Sequence, residues 1–398
     1  MSEHRGDDVV ICSAVRTPIG KFMGALSSVT SPVLGGVAIR AAVERSGTNP
    51  DEIDEVLMGC VLSANLGQAP ARQAAIAAGL QVSTPATTVN KVCGSGLKSV
   101  MLAADGLRLD GSRLVVAGGM ESMSGAPYLV PNARGGYKVG HAAFVDHLMR
   151  DGLEDAYERG RSMGTFGEDT ATAYGFTRDE QDVYALETVR RAQDAIANGR
   201  FSEETIAVNV GSGAKASEVL VDEIPGKISP EKIPGLRPAF RADGTITAAS
   251  SSANSDGAAA LVLSTRDHAD RLGMPILAKV VAHATHARAP AEFTLAPIDA
   301  VQKTLEKANW KESDVDLFEI NEAFAVVVMA AMRDLKLSHD RVNVNGGACA
   351  LGHPIGASGA RVLVTLLHAL RGRGLKRGVA TLCIGGGEAV AMSIELQA

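Results

Sequence analysis

Three blocks of this 398-residue chain occur twice, in the same order and at nearly one offset. Asp51-Glu52-Ile53-Asp54-Glu55-Val56 matches Ser313-Asp314-Val315-Asp316-Leu317-Phe318, an offset of 262 from Asp54 to Asp316. Ser95-Gly96-Leu97-Lys98-Ser99-Val100 matches Ser358-Gly359-Ala360-Arg361-Val362-Leu363, an offset of 263 from Gly96 to Gly359. Val115-Val116-Ala117-Gly118-Gly119 stands opposite Leu382-Cys383-Ile384-Gly385-Gly386, at 267. Self-similarity at a fixed offset is the signature of a repeated structural unit. The repeat therefore constrains the fold to two similar halves, each with a central helix that starts at a Gly/Ser turn. The two helices are expected to meet in the middle of the molecule.

Each half alternates strand and helix, the pattern of an α/β layered sheet. In the first, Val9–Val15 reads as a buried strand, Pro32–Arg45 as a helix stopped at Gly47, Glu55–Gly59 as a strand and Gln73–Ala78 as a short helix. The helix after Cys93 and the strand Arg113–Gly119 complete it. The pattern resumes with strands at Gly257–Leu263 and Ile276–His283, a helix at Pro297–Lys307, and a strand at Asp316–Asn321. It ends with a helix at Ala360–Leu370 and a last strand at Val379–Ile384. Between the halves lies a loop-rich insertion whose longest helix is Thr177–Asn198; insertions of this length usually carry function. We place the first half at 1–121 and 246–273, the insertion at 122–245 and the second half at 274–398.

A net charge of −6 with no basic, aromatic-interleaved stripe argues against nucleic acid as a partner. No apolar run reaches the roughly 18 residues of a membrane span. Residues 1–8 are polar and acidic and do not read as a secretory signal. Five cysteines (Cys12, Cys60, Cys93, Cys349, Cys383) without a C-x-x-C pair suggest neither a zinc site nor a disulfide framework. Reduced thiols in a cytosolic or matrix compartment fit best, and we expect a cytoplasmic location. His283 and His286 are spaced by three, but no acidic or Cys partner lies near them in sequence.

Four positions carry side chains suited to chemistry. Cys93, before Gly94-Ser95-Gly96, stands where a helix begins. There, unpaired N–H groups and the helix dipole favour thiolate; equally, it reads as a small buried residue. His353, in Gly352-His353-Pro354, is held on a loop, either as a base for a thiol or as a structural turn histidine. Cys383 ends a buried strand before Gly385-Gly386-Gly387, whose N–H groups suit an oxyanion or simply form a turn. Asn321 holds a water or caps the next helix. The residues alone leave these alternatives open.

Together, Val-Asn-x-x-Cys-Gly-Ser-Gly (89–96), Asn-Glu-Ala-Phe (321–324), the Gly-Gly-Ala to Gly-Ala-Arg run around His353 (346–361) and Cys-Ile-Gly-Gly-Gly (383–387) resemble the four signature motifs of the thiolase family. The likeness runs from Arg16-Thr17-Pro18 to the C-terminus. It implies duplicated αβαβα layered domains, with two five-stranded mixed sheets and an inserted loop domain. It also implies reversible carbon–carbon bond formation between acyl-CoA thioesters, with no metal or prosthetic group. By the resemblance, Cys93 accepts the acyl group, His353 takes its proton and Cys383 moves the α-proton of the second acetyl-CoA. Asn321, through a water, and His353 form one oxyanion hole; the N–H groups of Cys93 and Gly385 form the other. Arg237 and Phe240 lie against adenine and pantetheine, Ala248 and Ser252 along the pantetheine arm. Met163 lines the acyl pocket, with Ala323 and Phe324 at its wall. Lys227 and Lys232 reach CoA phosphates or are solvated loop lysines. The family is usually a homotetramer, and Arg134–His147 matches its tetramer contacts.

Met163 and Phe324 favour a small acyl group, hence two acetyl-CoA giving acetoacetyl-CoA and CoA. A longer-chain 3-ketoacyl-CoA thiolase of fatty-acid degradation is the alternative; a thiolase-like CoA- or lipid-binding protein is the non-enzymatic one. A decarboxylating ketoacyl synthase would need a second His where Cys383 stands. Three positions depart from the family pattern. Ser162 replaces a frequent His, and Ser250–Asp256 alters the usual Asn-Ala-Ser-x-x-Asn-Asp. Glu388 replaces a common Met or Gly, as a charge either solvated or raising the Cys383 pKa.

Overall fold

The computed structural model describes residues 6–109, 112–213 and 216–397; the reading of residues 1–8 falls partly outside them. The first half comprises β1 (Val9–Arg16), α1 (Ser31–Ser46), β2 (Glu55–Gly59), α2 (Pro70–Ala77), β3 (Ala86–Val89), α3 (Ser95–Arg108) and β4 (Leu114–Ser122). The chain then leaves the sheet for the segment holding α4 (Met163–Tyr174) and α5 (Arg178–Ala197). It re-enters as β5 (Ser255–Thr265), followed by α6 (Arg266–Leu272). The second half comprises β6 (Ala278–Ala287), α7 (Ala296–Ala308), β7 (Leu317–Ile320), α8 (Ala325–Asp334), α9 (Ala348–Leu351), α10 (Ile355–Arg373), β8 (Arg377–Ile384) and β9 (Glu388–Leu396).

Strand order is β3-β2-β4-β5-β1 in one half and β6-β9-β8-β7 in the other. Among the described residues the second half has four strands rather than five; a lone parallel bridge from Phe318 to Val342 stands where β3 pairs β2. Nor are the sheets separate. Val10 pairs with Lys279 and Ile11 with Ala278, joining them edge to edge. The strands are buried on both faces, which is why they read as unbroken apolar runs. Val9 and Ile11 face the central core with α3 and α10, while Val10, Cys12 and Val15 face the outer core with α1 and α2. A third core lies outside the second sheet, against α7 and α8.

The duplication is visible bond by bond. Asp54 Oδ2 accepts the N–H groups of Arg113 and Leu114 (2.7 and 2.9 Å), and Asp316 Oδ2 accepts those of Lys376 and Arg377 (2.9 and 2.8 Å). Both edge-joining strands are irregular at matching places, between Ile11 and Ser13 and between Val280 and Ala282. The third sequence block is corrected. Val115 pairs with Glu55 and Gly378 with Leu317, so Val115 corresponds to Gly378, not Leu382. The alignment was drawn by glycines with different tasks. A Cβ on Gly118 would stand 2.1 Å from Ala259 O in mid-strand, whereas Gly386 lies in a turn at φ 93°. The expectation that strands end at Ile384 also fails, because β9 follows that turn.

The two central helices cross at their repeat-related glycines. A Cβ on Gly96 would stand 2.6 Å from Ala360 N, and one on Gly359 2.2 Å from Leu97 N. Backbone cannot yield there as a flexible side chain would. Gly359→Ala is therefore expected to cost about 3 kcal/mol or more, read as a fall in the denaturation midpoint. The insertion is tied to the core through Arg16, which is fully buried. Its guanidinium bonds Glu204 at 2.5 Å and Asp222 at 2.7 and 2.8 Å. Within the insertion, α5 starts at a capping box made by Thr177 and Glu180.

Candidate active site

Cys93 does not sit in the first turn of its helix. α3 begins at Ser95 with Gly94 as its N-cap, so the thiol lies on the approach to the helix. The residue before it, Val92, has φ 45°, a left-handed conformation that a β-branched side chain resists. Ser95 holds this turn: its hydroxyl accepts Lys91 N–H at 2.8 Å and donates to Val92 O at 2.6 Å. Helix-end activation does not set the thiol's state. Burial pushes it up to about 11, and the N–H groups of Gly385 and of Cys93 itself offset only part of that. The resting thiol is protonated and needs a base.

Cys383, on β8, is fully buried. Burial, and then the neighbouring Cys93, push its thiol well above the usual range. The turn Gly385–Gly387 follows, leading into β9. Gly94 has no side chain because a Cβ would stand 2.3 Å from Ile384 Cδ1; this close approach brings the two thiol-bearing loops together. Arg288 N–H fixes the far side of the turn, bonding Gly387 O at 2.7 Å.

His353 is buried and precedes α10. Its Nδ1 lies 2.5 Å from Ser358 Oγ, which itself donates to Pro354 O at 2.9 Å. With the one hydroxyl proton assigned to Pro354 O, Ser358 accepts here and Nδ1 carries the hydrogen. The other nitrogen, Nε2, then presents a lone pair, and it is buried with no partner among the described residues. Burial, and then the Arg361 charge, lower the imidazole to about 3, so it is neutral at physiological pH. The helix start beside it is held by Glu121, whose carboxylate accepts Gly356 N–H at 2.9 Å.

Asn321 follows β7 and is not a helix cap, since α8 begins at Ala325 after Phe324. Its N–H bonds Thr381 O at 3.0 Å, two residues before Cys383. Arg361, ion-paired with Glu319 at 2.9 Å, approaches its Oδ1 at 3.4 Å. That orients the amide and leaves Nδ2 buried without a partner among the described residues, a donor suited to hold a water or an oxyanion. Glu322 beside it is fully buried and accepts from Tyr184 Oη (2.7 Å), Thr188 Oγ1 (2.9 Å), Asn343 Nδ2 (2.9 Å) and Cys349 N (3.0 Å). It binds α5 and the His353 segment to the Asn321 loop.

A cavity of about 300 Å³ opens on these groups. It is lined by His353, Met163, Phe240, Phe324 and Ser252, with Met123, Met149 and Leu153. Cys93 packs on the cluster that contains Met123 and Leu153. Thus two thiols, one imidazole nitrogen with a free lone pair, the Asn321 amide and the backbone N–H groups of Cys93 and Gly385 stand around an apolar chamber. That set suits acyl transfer.

The description "Thiolase, N-terminal domain" matches residues 9–267, and "Thiolase, C-terminal domain" matches 274–396. This chain belongs to the thiolase family. It is 48% identical to a probable acetyl-CoA acetyltransferase of Dictyostelium discoideum, over 98% of this chain and 94% of the relative. Its fold matches that of an acetyl-CoA acetyltransferase of Bacillus anthracis with a TM-score of 0.95 at 40% identity (98% and 99% covered). It also matches an Ascaris suum thiolase in complex with coenzyme A, with a TM-score of 0.93 at 44% identity (98% and 100% covered).

The remaining expected contacts of this thiolase divide. Ser252 is anchored to the Asn-Glu-Ala-Phe motif, its N–H and Oγ both bonding Ala323 O (3.0 and 3.1 Å); Ala323 contributes that carbonyl. A bridge from Pro238 to Thr247 places the exposed Arg237 opposite the exposed Ala248, away from the cavity lining. Lys227 is ion-paired with Glu223, and Lys232 is exposed and does not line the cavity. Ser162 lines the cavity beside Met163, and its side chain does not cap α4. Sequence reasoning missed the supporting roles of Ser358, Arg361, Glu322 and Glu121. The first three sit inside the motifs and were passed over for their reactive neighbours. His283 and His286 do have acidic partners, Asp105 (3.0 Å) and Asp299 (3.4 Å), brought in from distant elements. Among the described residues no group of three or more His, Cys, Asp or Glu side chains is placed to hold a metal ion.

Proposed function

We propose that this thiolase condenses two acetyl-CoA to acetoacetyl-CoA and CoA, and runs the reverse thiolysis, through an acetyl-Cys93 intermediate. The observation that carries the reading is His353 Nε2, a neutral lone pair on the cavity wall, with the Cys93 and Cys383 thiols packed in the clusters that supply the rest of that wall. His353 takes the Cys93 proton as the sulfur attacks the first thioester carbonyl. The departing CoA thiolate takes a proton from Cys383. That leaves Cys383 as a thiolate whose high pKa matches the weak acidity of the acetyl α-carbon. It removes an α-proton from the second acetyl-CoA. The imidazolium of His353 and the Asn321 amide, through a water, then stabilise the enolate oxygen, while Gly385 and Cys93 N–H groups receive the oxygen of the attacked thioester. Collapse expels Cys93 thiolate, which recovers its proton from His353.

Thiolysis rates against ketoacyl length test the small-acyl reading. Activity is expected to be greatest on acetoacetyl-CoA and to fall with longer chains; rates rising beyond that length would favour the degradative 3-ketoacyl-CoA thiolase. Because these steps need only side chains and backbone, dialysis against EDTA is expected to leave kcat unchanged. A loss restored by a divalent cation would overturn the metal-free scheme. A homotetramer is part of the proposal, supported by the exposed Tyr128, Val139 and Phe144 on the segment Arg134–His147 and its approach; sedimentation equilibrium tests it. A cytoplasmic location is proposed from the five free thiols. Among the described residues no helix is long and apolar enough to cross a membrane.

A further inference from the structure

The two thiol-bearing loops meet across very little material. Gly385 N–H faces Cys93, the Ile384 side chain packs on Gly94, and Lys91 forms an ion pair with Glu388. One loop holds Val92 in a left-handed conformation; the other turns through Gly386 and Gly387 at φ 93° and 91°. The first costs energy because Val92 is β-branched; the second is open to glycine alone. Both charges, however, are mounted on fixed backbone. Lys91 N–H is held by Ser95 Oγ, and its carbonyl accepts Gly94 N–H at 3.0 Å. Glu388 is paired with Ile384 on one side and with Ala287 on the other. The two side chains are 21% and 36% exposed, so solvent screens the pair only in part.

We propose that the Lys91–Glu388 ion pair is a latch that sets the spacing between the Cys93 sulfur and the Gly385 N–H, making both residues positioning residues for acyl transfer. The proposal rests on the reading of Cys93 as the acyl acceptor. It replaces the idea that Glu388 acts on Cys383 as a bare charge. Lys91 neutralises Glu388, and what raises the Cys383 thiol is burial and then Cys93.

The test uses the full-length enzyme, with Glu388→Gln, Lys91→Met and the exchanged pair Lys91→Glu/Glu388→Lys. Acetoacetyl-CoA thiolysis and the rate of Cys93 alkylation by iodoacetamide are measured alongside denaturation midpoints. A latch predicts that each single variant lowers kcat by roughly tenfold or more, leaves KM for CoA nearly unchanged and slows alkylation, and that the exchanged pair recovers most of the loss. A charge effect has a different sign pattern. Glu388→Gln, by removing an anion, speeds alkylation, Lys91→Met slows it, and exchange does not restore either. Opposite signs in the two singles, wild-type kcat in both, or an exchanged pair as poor as the singles overturns the latch. An acetyl adduct missing from the wild-type protein would instead overturn the acyl-Cys93 reading itself.

Discussion

Cys93→Ala is expected to lower condensation and thiolysis by about ten-thousand-fold or more, the scale seen when a nucleophile acting as part of a unit is removed. The readout that isolates its role is intact mass. Wild-type enzyme incubated with acetyl-CoA gains one acetyl group, and the variant gains none. The fold should survive, because Cys93 is partly buried at the rim of a cluster built from Val61, Leu62, Met123 and Ile355. An adduct persisting in the variant would move the acyl acceptor elsewhere, with Cys383 the first place to look. Wild-type protein that takes up no acetyl group would return the chain to a CoA-binding role without turnover.

His353→Gln is expected to cost about 100- to 10,000-fold in kcat/KM, the range of a positioned general base, and the loss should depend on pH. In the wild type the thiol stands at about 11 and the imidazole at about 3. Neither titrates in the neutral range, so activation by direct proton transfer is nearly independent of pH between about 5 and 8. Without the imidazole, attack depends on the rare free thiolate. That population rises tenfold per pH unit up to the thiol pKa, so log kcat/KM of the variant climbs with unit slope while the wild type stays level. The deficit is therefore largest at low pH and narrows as pH rises. Parallel profiles for the two enzymes would show that His353 is not the base for Cys93.

Much of this was legible in the sequence, for reasons that can be stated residue by residue. The repeat was readable because Asp54 and Asp316 each cap the start of the neighbouring strand, a job that fixes residue type and spacing together. The motif residues could be given roles only through their resemblance to the thiolase motifs, since each alone also read as a structural residue. The third block misaligned because glycine serves two ends, close approach inside β4 and left-handed turning after β8, and the letter does not say which. The join through Val10 and Lys279 was illegible because edge pairing is made by backbone. The activation of Cys93 was misjudged because it depends on burial, which no local pattern reports. Likewise the tautomer of His353 depends on where Ser358 spends its single proton, a fact of geometry alone.

The carboxyl group of Glu121 makes the two repeat-related positions unlike each other. At the repeat offset, Gly356 is the counterpart of Cys93, and Met120, next to Glu121, is the counterpart of Cys383. Glu121 lies fully buried across this mirror position, taking the N–H groups of Val61, Leu62 and Gly356 at 3.0, 3.2 and 2.9 Å. The amide matching that of Cys93 is thus occupied by a side chain of the chain's own, a carboxyl that burial raises to about 7. The duplicated halves are therefore not interchangeable: one side of the pair is open to a cavity, and the matching position on the other is closed by Glu121.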